Sequence, residues 1–195
     1  MSQNKVTFGL EKVHIAFIDE TAQTQPAWKP PIALPGAVKF SPEPQGEEST
    51  FYADNGPYFT YTSNNGYNAE LEIANIPDAV LAEMLGWEID NNGMLVETTD
   101  GMPKEFALMG QVLGDKKNRR FVYYRCKASR PSKEHSTRAE SVEPATEKLN
   151  IRILPIEASG RNLVRGVMEL SDTNATAYNA FFNSVYVPNF GTGGN

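Results

Sequence analysis

FYADNGPYFTYTSNNGYNAELEIANIPDAVLAEMLGW, residues Phe51 to Trp87, is the stretch whose reading decides the fold. Phe59, Thr60, Tyr61 and Thr62 alternate apolar and polar, as a half-buried strand does. Tyr67, Ala69, Leu71 and Ile73 alternate with Asn68, Glu70 and Glu72 on a returning strand. Between them lies Ser63-Asn64-Asn65-Gly66, in which Gly66 can adopt a positive φ at no steric cost. Read as a hairpin, a three-residue loop over Asn64-Asn65-Gly66 pairs Tyr61 with Ala69 and Phe59 with Leu71. A two-residue loop would place Phe59 and Tyr61 beside Glu70 and Glu72. Because a slip of one residue exchanges faces, the first register predicts one apolar face and one polar, acidic face carrying Thr60, Thr62, Asn68, Glu70 and Glu72.

A helix is predicted directly afterwards. Pro77 and Asp78 suit a first turn, Val80, Leu81, Met84 and Leu85 fall on one side, and Gly86 is a natural stop.

The 195 residues suffice for one domain with a core of its own, and 15 Gly with 13 Pro point to many turns and an all-β or α+β fold. No apolar run approaches the ~18–20 residues of a membrane span. The N-terminus lacks the charged-then-apolar layout of a signal peptide, and a single cysteine, Cys126, excludes an internal disulfide framework. Folding in a cytoplasm is the expectation. The net charge of −6 argues against broad affinity for nucleic-acid phosphates, though it does not exclude a protein that DNA merely passes.

Along the chain, Leu10, Val13, Ile15, Phe17 and Ile18 mark a first strand, with His14 as a structural residue inside it. Thr21 to Pro44 carries Pro26, Pro30, Pro31, Pro35, Pro42 and Pro44 and reads as an extended connection with at most a short edge strand over Ile32–Phe40. Phe106–Leu113 and Arg120–Ala128 form a second hairpin whose tip is basic: Lys116, Lys117, Arg119 and Arg120. Without aromatic residues at that tip, a solvated turn or a protein contact explains the charges better than nucleic acid does. Ser129–Lys148 is polar, charged and aperiodic, too long for an ordinary connection, and reads as an arm that orders against something else. A strand over Leu149–Glu157, another over Leu163–Leu170 and a helix over Thr173–Val185 follow. The strand-then-helix order echoes that of residues 68–85.

Chemistry-bearing motifs are absent: there is no GxSxG elbow, phosphate loop or HExxH. Cys126 among bulky strand residues reads as a structural thiol. Glu70 and Glu72 have a spacing that could suit a hydrolase carboxylate pair, but alternate positions on a polar strand face explain them more simply.

Taken together, FYADNGPY, NGYNAELEIANIPDAVLAEMLG, RRFVYYRCKASRPSKEHSTRAESVEPATEKLNIRI and the closing strand-helix unit resemble phage major tail proteins, the tail tube proteins of long-tailed siphophages of Gram-positive hosts. The resemblance runs from Leu10 to about Val187. It implies an α+β, mainly β fold: a β-sandwich or rolled barrel of tail-tube type with one or two flanking helices and long inter-subunit loops or arms. One domain over residues 1–187, an arm at 129–148 and a flexible tail at 188–195 follow from it. It implies a structural protein of the virion tail, made in the host cytoplasm, that stacks as hexameric rings around the tape-measure protein and later conducts DNA. Its further partners would be tail terminator and distal tail proteins; no cofactor, metal or membrane is implied. On this reading Thr60, Thr62, Asn68, Glu70 and Glu72 face the lumen, and Lys116, Lys117, Arg119, Arg120, Arg138, Glu140 and Glu143 are inter-subunit contacts. The alternatives are a tube protein of a contractile tail, tailocin or secretion apparatus, and a carbohydrate-binding β-sandwich using Tyr52, Tyr58 and Trp87.

Overall fold

A computed structural model describes residues 9–113, 117–131 and 146–190. In chain order the elements are β1 (Leu10–Phe17), β2 (Ile32–Ala33), β3 (Ala37–Pro44), β4 (Glu48–Ala53), β5 (Gly56–Thr62), β6 (Tyr67–Ile73), α1 (Asp78–Leu85), β7 (Glu88–Ile89), β8 (Leu95–Val96), β9 (Phe106–Val112), β10 (Arg120–Ala128), β11 (Glu147–Ile153), β12 (Ile156–Ala158), β13 (Arg161–Leu163), β14 (Arg165–Met168) and α2 (Ala175–Asn179). The main antiparallel sheet runs β2-β1-β9-β10-β11-β6-β3, and β14 adds to the first half of β10. The expected mainly-β fold with two helices is therefore present.

The continuous apolar runs of β9 and β10 have a simple cause: both faces of these strands are covered. On one face Phe106, Leu108, Phe121 and Tyr123 join Phe17, Leu71, Ile151 and the α1 side chains Leu81 and Met84 in the larger core. On the other, Ala107, Met109, Val122 and Tyr124 pack against Leu163, Phe181 and Val185. Strands β6 and β11 lie at the side of this double layer, cover one face only, and alternate buried and accessible residues as half-buried strands should.

The pairing of the 51–87 stretch differs from the sequence expectation. Strand β5 does not turn back onto β6. It pairs with β4 through Phe51↔Phe59, Thr50↔Thr60 and Ser49↔Tyr61, while β6 lies between β3 and β11. The decisive turn is Asp54-Asn55, at φ 51° and 62°, which closes a two-residue hairpin. Positive φ at both central residues matches the strand twist, and Asp and Asn tolerate it best after glycine. Gly66 has the expected positive φ, 84°, but at the junction where the chain re-enters the main sheet.

The helix α1 ends as expected, with Gly86 left-handed at φ 73° and the Trp87 amide donating back to the Ala82 carbonyl at 2.9 Å. The second helix is shorter than the expected 173–185. It stops at Asn179, where the chain continues in single turns with the Asn183 amide on the Ala180 carbonyl. Asparagine competes with its own backbone and is a weak helix former, so Asn179 and Asn183 end the regular ladder while Phe181 and Val185 still reach the core. The expected 163–170 strand is split between β13 and β14.

On the outside of α1, Glu83 accepts from Lys29 at 2.7 Å and Lys104 at 3.0 Å, tying the helix to two loops. Partial burial opposes ionisation of Glu83, but the two lysines outweigh it and hold its carboxyl below the ordinary range; Lys29 is correspondingly raised by Glu83. A depressed carboxylate contributes stability above its unfolded pKa and loses it as pH falls through the folded one. Stability should therefore decline below about pH 4.5, the ordinary value for this group. Glu83→Gln should flatten that acid limb. Urea midpoints measured from pH 7 to pH 3 check this, and parallel curves for the two proteins would refute it.

Candidate assembly surfaces

The outer face of β3, β6 and β11 is a ladder of polar rungs. The registers place Lys39, Glu72 and Lys148 on one rung, Ser41, Glu70 and Asn150 on the next, and Glu43, Asn68 and Arg152 on the third. Thr146 donates to Glu72 at 2.7 Å, Lys148 Nζ lies 4.0 Å from Glu70, and the Arg152 guanidinium bonds Asn68 Oδ1 at 2.7 Å and the Asn65 carbonyl at 3.1 Å. This face is polar as expected, but its charges are mixed. The physical reason is the changed pairing: β3 and β11 bring Lys39, Lys148 and Arg152 beside the glutamates where β5 would have brought only threonines. Asn68, Glu70 and Glu72 thus stand together, whereas Thr60 and Thr62 lie on the separate β4–β5 ribbon.

The free edge of this face is β3. The Gln45 amide donates to the Gly66 carbonyl at 2.9 Å, so by the two-residue period the amides of Glu43 and Ser41 also point toward β6. Positions 42 and 44 point outward, and both are proline. That edge offers carbonyls but lacks two donors, which blunts it against indiscriminate strand pairing.

Among the described residues the β4–β5 ribbon has no second layer beneath it. Phe51, Tyr52, Tyr58, Phe59 and Tyr61 are all 60–72% exposed. The paired Phe51 and Phe59 share a face with Tyr61, while Thr50 and Thr60 meet on the other at 3.4 Å. The ribbon's base is fastened by the Ser63 amide on the Glu47 carbonyl at 2.9 Å and by the Ser63 hydroxyl, which accepts the Glu47 amide at 2.9 Å. These five aromatics were missed as a group by the sequence reading. The signal for them was Asp54-Asn55-Gly56 between two aromatic runs, a two-residue hairpin signature.

The predicted basic contacts divide. Lys116, Arg138, Glu140 and Glu143 lie outside the described residues. Lys117 pairs with Glu169 at 3.0 Å. Arg120 is engaged within the subunit: its Nε donates to Gln111 at 3.0 Å, Nη1 donates to the Tyr178 carbonyl, and the guanidinium lies 3.8 Å from the Tyr178 ring centre. Arg119 also makes interactions of its own.

Features that could have suggested chemistry are structural. Burial pushes the Cys126 thiol far up, away from nucleophilic range. His14 stacks on Phe182 at 4.7 Å, and its Nδ1 lies 2.9 Å from the Lys12 carbonyl. Trp87 packs against the main core, apart from the ribbon that carries Tyr52 and Tyr58, so the three do not form one sugar-binding platform. Among the described residues no cluster of three His, Cys, Asp or Glu could hold a metal, and no helix is long and apolar enough to cross a membrane.

No curated protein matches the sequence. Among solved structures, the tube-terminating cap of the anti-feeding prophage superposes with a TM-score of 0.48 at 10% identity, over 87% of this chain and 97% of that one. A family model described as phage tail tube protein matches residues 1–189, nearly the whole chain. The chain belongs to the phage tail tube protein family and is a structural component of the tail, not an enzyme.

Proposed function

We propose that this protein polymerises as stacked hexameric rings into the tail tube of a long-tailed siphophage of a Gram-positive host, encloses the tape-measure protein, and later conducts DNA. Tail terminator and distal tail proteins would meet the two ends of the stack. Beyond family membership, the observation that carries the reading is the one-sided build of β3-β6-β11. One face is closed by the core and α1, and the other presents Lys39, Glu43, Asn68, Glu70, Glu72, Lys148 and Asn150 with no described element over it. A wall around a conduit needs such a hydrated face, and a passing polyanion needs it free of net positive charge. In this reading Asn68, Glu70 and Glu72 line the lumen, with their basic neighbours keeping the wall close to neutral. Thr60 and Thr62 belong to the ribbon and take part in subunit contacts.

Negative-stain images of concentrated protein test the polymer: hollow tubes of stacked rings are expected, and a strictly monomeric protein at all concentrations would refute it. The lumen assignment has its own test. Glu70→Lys with Glu72→Lys shifts each subunit by about four charges and, repeated around a ring, converts the wall to a polycation. DNA ejection from phage carrying both changes should slow severalfold, and more so at low salt. Tails that assemble normally and eject at the parental rate would remove these residues from the lumen.

A further inference from the structure

The β4–β5 ribbon presents more apolar surface than an isolated hairpin can sustain. Two-stranded ribbons without a packed face are marginal in water, and each aromatic side chain buries 150–250 Å² when covered. The three rings of the Phe51–Phe59–Tyr61 face, at 60–62% exposure, amount to roughly 270–450 Å², about half of the ~800 Å² that one partner contributes to a stable interface. The charge of the ribbon is also one-sided. Between Gln45 and Tyr67 the charged residues are Glu47, Glu48 and Asp54, with no Lys, Arg or His.

A second apolar feature lies on β14 and the C-terminal segment. Tyr124, Leu163, Val167, Met168, Phe181 and Phe190 line an open cavity of about 250 Å³. Its size exceeds the ~150 Å³ that suffices for a benzene ring in an apolar cavity. Phe190 at its lip is 43% exposed. The surrounding charge is basic where the ribbon is acidic. Arg161 stands 4.2 Å from the Phe190 ring centre, while Arg165 pairs with Tyr123 on the opposite face of β14 and Glu169 nearby is paired with Lys117.

We propose that the Phe51–Phe59–Tyr61 face of the ribbon docks into the β14–C-terminal cavity of a second copy of this chain, with Arg161 meeting Glu47. The inference rests on the tube-forming reading and deepens it by naming the two surfaces that meet. Knob and cavity are different patches of the same molecule, so the contact is heterologous. A bound pair keeps one free knob and one free cavity between them, which is the condition for continued growth. Rings buried at the centre of the contact carry most of its strength, and the acidic-to-basic match sets orientation and makes assembly salt-sensitive.

Photo-crosslinking tests it on the full chain. p-Benzoylphenylalanine placed at position 59 in one preparation is mixed with an isotope-labelled parental preparation, polymerised and irradiated. Crosslinks should join the ribbon to residues 161–190 of the labelled copy. In parallel, Phe190→Glu puts a carboxylate at the cavity lip, and Phe51→Ser with Phe59→Ser empties the knob. Each should raise the concentration needed for polymerisation about tenfold or more while leaving the melting temperature within a few degrees. Tubes whose crosslinks map elsewhere, or variants that polymerise like the parent, overturn the pairing and leave the tube reading intact. Absence of any polymer from the parental chain overturns both.

Discussion

Gly66→Ala is expected to cost about 3–5 kcal/mol, a large share of the 5–15 kcal/mol that holds a domain together. Two effects combine. At φ 84° an L-residue pays roughly 1–2 kcal/mol for the left-handed conformation. More seriously, an added Cβ would sit 1.9 Å from the Ile153 carbonyl oxygen and 3.0 Å from its carbon. Both obstacles are backbone, so no rotamer change relieves them. Ile153 is the last residue of β11 and pairs with Tyr67, while the Gly66 carbonyl accepts the Gln45 amide, so any shift propagates into three strands at once. Gly93 supplies the control: its φ is 85°, yet an added Cβ would meet no described atom within 4 Å. Gly93→Ala should therefore cost only the conformational term. Thermal melts should place Gly66→Ala about 6–20 °C below the parent and Gly93→Ala only a few degrees below. Equal shifts for the two variants would mean that the close approach to Ile153 is not structural.

Arg120→Met is the second large effect, at about 2–4 kcal/mol. The substitution keeps most of the aliphatic stem and removes the fork. Gln111 is almost wholly buried and would lose the stronger of its two donors, keeping only Lys12 at 3.4 Å. A buried acceptor left short of a partner costs about 1–3 kcal/mol. The Tyr178 carbonyl loses one of its donors, keeping the Phe181 amide at 3.2 Å, and the guanidinium's contacts with the Tyr178 and Phe182 rings add about 0.5–2 kcal/mol. Since these groups join the main sheet to the segment that holds α2, the damage should be local. Amide exchange should accelerate across residues 175–187 while β9 and β1 stay protected. Arg120→Lys should recover less than half of the loss, because an ammonium cannot serve Gln111 and the Tyr178 carbonyl with a planar fork. Unchanged exchange over 175–187 would show that Arg120 does not hold that segment.

Both predictions turn on contacts between residues far apart in the chain, and this is where sequence reading was incomplete. Strands β1, β9, β10 and β11, helix α1 and its Gly86 stop were legible because each is set by its own alternation, apolar run or capping residue. The αL character of Gly66 was legible for the same reason. The partner of β5 was not. Two turn clusters, Asp54-Asn55-Gly56 and Ser63-Asn64-Asn65-Gly66, flank one aromatic strand, and periodicity on β5 is compatible with a hairpin closed at either end. What settles it is that both edges of β6 are occupied by β3 and β11, the latter almost 80 positions away.

The candidate surface divides in the same manner. That Asn68, Glu70 and Glu72 share a polar face followed from a period of two, which a strand imposes whatever its neighbours. That the face is charge-balanced, that Arg120 turns inward, and that five aromatics stand on an uncovered ribbon depended on which strands lie side by side. Local propensity and pattern determined the elements of this protein and the family it belongs to. Pairing across long sequence separations, decided by burial of the shared core, determined which of its polar and aromatic residues remain available to another subunit.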